Sequence, residues 1–104
     1  MAQYEVCLSK SAENDLAGIV RYISNQLNAP ATAVKMVDEI EKAIINLAYM
    51  PKRCAPITDE RLALKGYRKL QIKNYIAFFT IDESDMTVQI KRILYAARDW
   101  RNIL

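Results

Sequence analysis

The last third of the chain contains three successive runs of strand-forming residues, and this feature constrains the fold more than any other. The runs cover residues 69–73, 75–81 and 88–94, and a polar segment at 82–85 predicts a hairpin turn between the last two. The second run is almost continuously apolar, which is typical of a central strand. Lys and Arg side chains alternate with the apolar ones, so we expect a sheet with one buried face and one cationic face.

The first half of the chain predicts a short strand followed by two amphipathic helices. Tyr4, Val6 and Leu8 alternate with polar neighbours, which is the period of a half-buried strand. Ser9 or Ser11 can cap the first helix. Its apolar stripe consists of Leu16, Ile19, Val20, Ile23 and Leu27. The stripe of the second helix consists of Ala33, Val37, Ile40, Ile44 and Leu47.

Two prolines set the bounds of the second helix. Pro30 suits its first turn, where the missing N–H would be unpaired in any case, and Pro51 ends it. The short connection between the helices makes them antiparallel neighbours. Residues 51–65 then predict a long loop that contains a helical turn or a functional segment, tethered to the core through Leu62 and Leu64.

These elements predict a single α+β domain over residues 1–104 with the order β-α-α-β-β-β. A helix hairpin packs on one face of a mostly antiparallel four-stranded sheet, and the tail from Arg98 to Leu104 forms a short closing helix. The position of the first strand in the sheet is left open by the sequence. Val88, Ile90 and Leu94 are expected to share one face of the last strand.

Composition excludes several classes of function. The chain contains no His, so imidazole acid–base catalysis and His-based metal sites are ruled out. Two cysteines, Cys7 and Cys54, do not make a disulfide framework, and Cys54 is expected to be exposed in its loop. The amino terminus does not have the pattern of a secretion signal, and no apolar run reaches the roughly 20 residues that a membrane span requires. We therefore expect a cytoplasmic protein without cofactor, metal or membrane contact.

Several short motifs occur together in the first helix, at the end of the second helix and along the sheet. They comprise Asp15, Leu16, Ile19, Tyr22 and Ile23, then Leu47, Met50 and Pro51, then Tyr67, Arg68, Lys69 and Leu70, then Tyr75, Phe78, Phe79, Ile81 and Asp82, then Val88, Ile90, Arg92, Ile93, Leu94 and Tyr95, and finally Arg98, Asp99 and Trp100. In this order they resemble the RelE/ParE superfamily of toxins from bacterial type II toxin–antitoxin systems, and the resemblance covers nearly the whole chain.

The resemblance implies a growth-inhibiting toxin that a cognate acidic antitoxin neutralises by wrapping around it. The formal charge of +3, from 15 basic and 12 acidic residues, is compatible with such a partner. Members of the superfamily follow two routes. ParE-like members act on DNA gyrase without covalent chemistry, whereas RelE-like members cleave mRNA on the ribosome. A third alternative is a degenerate module that binds an antitoxin but is not toxic.

The basic positions of RelE-like nucleases are mostly replaced in this chain. The resemblance implies a second basic residue two positions after Lys69, an arginine directly after Tyr75 and an arginine directly before Arg98. This sequence has Gln71, Ile76 and Ala97 at those positions. Each lost charge would cost a phosphoryl-transfer reaction about 2–4 kcal/mol of transition-state stabilisation. The sequence therefore favours the ParE-like route and leaves catalysis open. A nuclease would have to use the candidates Lys69, Lys73, Arg92, Tyr95 and Arg98.

Each candidate also has a purely structural interpretation. Lys69 and Lys73 suit the solvated face of an outer strand, and Tyr95 suits a half-buried strand position. Arg92 has the parity of the apolar residues in its strand, so either the strand bends there or the guanidinium meets a carboxylate. In that case Arg92 is expected to tie the sheet to the tail.

Overall fold

The computed structural model describes residues 3–104 and contains the predicted elements in the predicted order. The strands are β1 (Glu5–Leu8), β2 (Arg68–Ile72), β3 (Tyr75–Asp82) and β4 (Thr87–Tyr95). The helices are α1 (Lys10–Arg21), α2 (Pro30–Ile45) and the short α3 (Glu60–Leu64) and α4 (Trp100–Ile103). A π-helical turn (Tyr22–Gln26) follows α1, and 3₁₀ turns lie at Asn46–Ala48 and Pro51–Arg53.

Helix α1 begins at a side-chain cap and ends in a widened turn. The Ser9 Oγ accepts a hydrogen bond from the Ala12 N–H at 3.0 Å, which confirms Ser9 over Ser11 as the cap. Buried Ile19 and Ile23 confirm the apolar stripe. Leu27 does not belong to it, because its side chain is 56% exposed. The π turn adds a residue to the helical period there and rotates the following positions off the stripe.

The sheet has the strand order β1-β4-β3-β2, so β3 and β4 are its interior strands. β3 pairs antiparallel with both neighbours, which confirms the predicted central strand. β1 lies at the edge and pairs parallel with β4, from Glu5 opposite Thr87 to Leu8 opposite Ile90. The predicted α+β class, a helix hairpin on a mostly antiparallel sheet, is confirmed.

A β-bulge interrupts the pairing of the two interior strands. Phe79 lies opposite Ile90, whereas Phe78 lies opposite Arg92, so Lys91 is an extra residue in β4. A bulge of this kind bends the strand and changes the side-chain alternation after it. The expected bend at Arg92 is therefore present.

Because of the bulge, one prediction about which side chains of β4 share a face of the sheet is wrong. Val88, Ile90 and Ile93 all join the apolar cluster under the helices, although Ile90 and Ile93 are three positions apart. Leu94 belongs to a separate cluster on the other side of the sheet. The prediction that Leu94 shares a face with Val88 and Ile90 is wrong, because it assumed an unbroken period of two.

We call the face of the sheet toward α1 and α2 the inner face, and the opposite one the outer face. The inner cluster joins both helices to all four strands and includes buried Ile19, Ala33, Ile40, Ile44, Leu47, Ala77, Phe79, Val88 and Ile90. The outer cluster is smaller. It consists of buried Ile57, Leu62, Ile76, Phe78, Leu94 and Trp100. The expectation of a purely cationic outer face is therefore wrong, since part of that face is apolar and closed by α3 and α4.

The segment 51–65 confirms one prediction and corrects two. It contains the expected helical turn, and Leu62 is fully buried. Leu64 is instead 84% exposed, because it lies on the solvent side of the short helix α3. Cys54 is buried rather than exposed, its carbonyl accepts a hydrogen bond from Arg68 Nη1 at 2.6 Å, and burial raises the pKa of its thiol.

Within residues 3–104, none of the helices combines the length and apolar character that crossing a membrane requires.

Candidate functional site

The predicted site residues separate into two groups that lie on different sides of the sheet. Lys69 and Arg98 belong to the outer side. Lys69 lies opposite Phe78 in the sheet register, and its Nζ is 6.0 Å from the centre of the Trp100 ring. Arg98 is exposed in the turn before α4, where its carbonyl accepts the Trp100 N–H at 2.9 Å.

Arg92 is committed to a structural ion pair. Its Nε and Nη2 donate to the two carboxylate oxygens of Asp15 on α1 at 2.7 and 2.9 Å. The hydrogen bonds that Arg92 donates to Asp15 raise the pKa of its guanidinium further. Asp15 also accepts the Ile93 N–H at 2.9 Å, directly beyond the bulge. The carboxylate partner was expected, but it lies on the first helix and not in the tail.

Lys73 and Tyr95 lie at the end of the sheet where β2 turns into β3. Lys73 is not a strand residue as predicted but occupies the two-residue turn, with a φ of 54°. Its Nζ is 3.3 Å from a carboxylate oxygen of Glu39 on α2. Tyr95 packs edge-on against Tyr75, with ring centres 5.8 Å apart, and Tyr75 belongs to the inner cluster. Burial raises the pKa of the Tyr75 hydroxyl.

The three positions without the expected basic residue lie in different environments, and burial explains the missing charge at one of them. Gln71 is exposed, and its Nε2 donates to the Lys73 carbonyl at 3.1 Å across the turn. Ile76 is 6% exposed inside the outer cluster. Ala97 is exposed in the turn after β4. A cation at position 76 would have to be buried among apolar side chains, which is unfavourable without a partner.

The Trp100 side chain covers the outer cluster on its solvent side. Its ring lies 5.2 Å from that of Phe78, and only 9% of the residue is exposed. The Arg101 guanidinium carbon lies 4.5 Å from the ring centre, within the range of a cation–π contact.

Two further contacts hold Arg101 against α3. Its Nε is 3.5 Å from Asp59 Oδ2, and its carbonyl accepts from Arg61 Nη2 at 3.0 Å. The sequence analysis missed Arg61 and Arg101. The signal that could have found them is the density of arginines on both sides of a lone tryptophan.

An open concavity of about 700 Å³ lies on the outer side, at the far end of β3 from Trp100. Lys65, Tyr67, Thr80 and Lys91 line one part of it, and the turn from Asp82 to Ser84 lines the other. None of the five predicted site residues lines this concavity. Its mixed charge distinguishes it from the cationic surface around Trp100.

The described residues thus offer little for acid–base or metal chemistry. Within residues 3–104 no group of His, Cys, Asp or Glu side chains could hold a metal ion. Of the candidate cations, Arg92 and Lys73 are paired with carboxylates, and only Lys69 and Arg98 lie near Trp100. The exposed candidates thus leave positive charge on the surface near Trp100.

Comparison with known families decides the classification. A family model described as the ParE toxin of the type II toxin–antitoxin system parDE matches residues 6–100. The chain belongs to this family. ParE membership confirms the superfamily resemblance that the motifs along the sheet indicate. No curated protein matches the chain in sequence.

Solved structures share the ParE fold. A chromosomal ParDE toxin–antitoxin system from P. aeruginosa contains a chain with a TM-score of 0.74 and 23% identity, covering 91% of this chain and 98% of that one. The RelBE2 toxin–antitoxin complex from Mycobacterium tuberculosis gives a TM-score of 0.63 and 22% identity over 89% and 98% of the two chains. A YoeB/ParE toxin from Agrobacterium tumefaciens gives 0.60 and 14% over 88% and 96%. These similarities show the fold.

Proposed function

We propose that this ParE-family chain is a growth inhibitor that acts on DNA gyrase in the cytoplasm without cleaving RNA. The observation that supports the non-cleaving route most strongly is the composition of the outer face. Ile76, Leu94 and Trp100 form a closed apolar cluster on the face where a RelE-like nuclease would need converging charge.

The energetics of phosphoryl transfer support the same route. Catalysis of this reaction depends mostly on preorganised positive charge, and removing one such donor lowers kcat by about 10²–10³. Arg92 already makes a bidentate pair with Asp15, so it can assist a phosphate only by breaking two hydrogen bonds. Lys69 and Arg98 alone are too few to replace the lost positions.

The direct test incubates the purified chain with gyrase, relaxed plasmid and ATP. We expect loss of supercoiling, and no effect on relaxation by a type I topoisomerase, which is the specificity control. In parallel, mRNA from cells that express the chain is mapped for new 5′ ends. Codon-specific cuts in translated mRNA that vanish in the Lys69→Ala/Arg98→Ala variant would establish the nuclease and overturn the proposal. Absence of any growth arrest would contradict a toxin altogether.

We also propose that a cognate acidic antitoxin neutralises the chain at the end of α2. Ile45 and Tyr49 are 62% and 49% exposed, and together with Lys42, Ala43 and Asn46 they border a shallow cavity of about 440 Å³. Neighbouring exposed apolar side chains of this kind are typical of protein interaction sites. Lys42 at the border suits an acidic segment with apolar anchors.

The antitoxin proposal is tested by co-expression and binding. An acidic protein encoded next to this gene should restore growth and bind the chain. Ile45→Ser/Tyr49→Ser should weaken binding at least about tenfold, because it removes two apolar contacts of roughly 1 kcal/mol each. Leu64→Ser is the matched control, since Leu64 is exposed on the opposite side of the sheet. Equal losses in both variants would contradict the assignment of the surface.

A further inference from the structure

The positive charge of this chain is concentrated in its second half. Residues 51–104 contain eleven of the 15 Lys and Arg side chains but six of the 12 Asp and Glu side chains, a formal charge of +5. Residues 1–50, which include the helix hairpin, have a formal side-chain charge of −2. The half of the chain that forms β2 to β4 and the covering of the outer cluster therefore carries the excess of positive charge, which attracts polyanions.

Four cations of this half belong to the segments that meet at Trp100, and we call them the basic cap: Arg61, Lys69, Arg98 and Arg101. Arg101 and Lys69 approach the ring itself, at 4.5 and 6.0 Å from its centre. Arg61 donates to the Arg101 carbonyl, and the Arg98 carbonyl accepts from the Trp100 N–H. All four side chains are exposed.

Carboxylates neutralise the charge of the basic cap only in part. Asp59 pairs with Arg101 at 3.5 Å, but within residues 3–104 neither Lys69 nor Arg98 forms an ion pair. The ring contact and Asp59 together hold the Arg101 guanidinium in a fixed orientation. Ordering a cation before binding lowers the entropy cost of a phosphate contact.

We propose that the basic cap binds the phosphate backbone of duplex DNA; this inference rests on the proposed gyrase-directed function, because DNA is the substrate that gyrase holds. Three of the four cations are arginines, whose planar N–H donors match phosphate oxygens. Trp100 is only 9% exposed, so it offers no platform on which an unstacked base could lie. That favours the backbone of a duplex over single-stranded RNA.

Salt dependence gives the proposal a quantitative form. Each phosphate contact contributes a slope of about −0.9 in log Kobs against log[salt]. With Asp59 offsetting one of the four cations, we expect a slope of about −3 for a short duplex. Removing two cations should reduce the slope to about −1 and weaken binding roughly 100-fold at 50 mM salt.

The experiment measures fluorescence anisotropy of a labelled 20-base-pair duplex between 50 and 200 mM salt with the purified full chain. The test variant is Lys69→Gln/Arg98→Gln. The matched control is Lys10→Gln/Lys35→Gln on α1 and α2, which changes net charge equally and should leave binding within about twofold and the slope unchanged. Lys69→Arg/Arg98→Lys keeps both charges and should bind like the native chain, which excludes misfolding as the cause of a loss.

A second probe distinguishes DNA from an acidic polypeptide. Labelled poly-glutamate of matched charge is titrated with the full chain in the same anisotropy assay. The Leu64→Ser variant on α3 is measured in the same way. Tighter binding of poly-glutamate than of DNA, or equal losses in the Lys69→Gln/Arg98→Gln and Lys10→Gln/Lys35→Gln variants, would overturn the proposal. Unaltered gyrase inhibition with no DNA binding would overturn this inference alone, whereas DNA binding without gyrase inhibition would overturn the proposed function.

Discussion

The two faces of the sheet enclose their apolar residues in different ways. Helices of 12 and 16 residues cover the inner face, whereas helices of 5 and 4 residues and a loop cover the outer cluster. Because burial stabilises in proportion to the apolar area removed from water, the inner face supplies most of the folding free energy. Local opening of the outer cluster should therefore require less free energy. This cluster lies beneath the exposed cations. The inner face thus contributes most of the stability, whereas the cations of the proposed DNA-binding surface lie over the less completely covered outer cluster.

The largest expected effect comes from the inner face. Phe79 is fully buried beneath the helix hairpin, so Phe79→Ala should lower the free energy of unfolding by about 4 kcal/mol. Urea denaturation followed by circular dichroism measures the loss. Phe79→Leu is the control and should lose no more than about 1.5 kcal/mol. If Phe79→Ala were tolerated as well as Phe79→Leu, the inner face would not be the main source of stability.

The second-largest effect on the free energy of unfolding should come from the ion pair between Arg92 on β4 and Asp15 on α1. Asp15→Ala leaves the guanidinium of Arg92, 26% exposed, without its carboxylate, and we expect a loss of about 2–3 kcal/mol. The double variant Asp15→Leu/Arg92→Met removes both charges and should recover most of that loss. A double variant no more stable than Asp15→Ala would show that the carboxylate acts through the Ile93 N–H instead.

On the outer face, Trp100→Ala should have a smaller and more local effect. We expect the free energy that holds the tail closed over the outer cluster to fall by about 2 kcal/mol. The inner cluster should stay intact, because the tail covers only the outer cluster. Limited trypsin digestion at Arg98 and Arg101 should become about 30-fold faster, since cleavage follows the population of the open tail. Leu64→Ser should leave the digestion rate unchanged. If Trp100→Ala lowered the free energy of global unfolding as much as Phe79→Ala does, the two faces would not be independent.

The smallest effect is expected at the exposed turn between β3 and β4. Hydrogen bonding from Lys52, at 2.6 Å, lowers the pKa of Glu83, and hydrogen bonding from Ser84 lowers the pKa of Asp82. Because these folded-state pKa values lie below the unfolded ones, the associated stability is present at neutral pH and lost as pH falls through the folded values. Carboxyl NMR titration should show that Lys52→Gln raises the pKa of Glu83 but not that of Asp82. Equal shifts in both would contradict separate causes.

The sequence predicted the elements of this fold well because the helices and strands follow regular periods. It failed where a period is interrupted. The π turn displaced Leu27, and the bulge at Lys91 moved Leu94 to the other face. In both cases one inserted residue changes the phase, and single-sequence patterns do not mark the insertion. The edge position of β1 depends on a parallel pairing with β4 that no local signal specifies.

The site was less predictable than the fold. Charge and spacing identified Lys69 and Arg98, but the same reasoning added Arg92 and Lys73, whose carboxylate partners lie far away in sequence on α1 and α2. Whether a cation is free or paired depends on tertiary contacts of this kind. The deep burial of Ile76 explains why a basic residue is missing there, which the sequence alone could only record as a substitution.

The parallel pairing of β1 with β4 also has a consequence for synthesis on the ribosome. β1 leaves the exit tunnel before β2 and β3 but has no hydrogen-bonding partner until β4 follows, so the sheet is completed only after all four strands have been synthesised. Translation products that stop before Thr87 should therefore lack both the interior strand β4 and the pairing of β1.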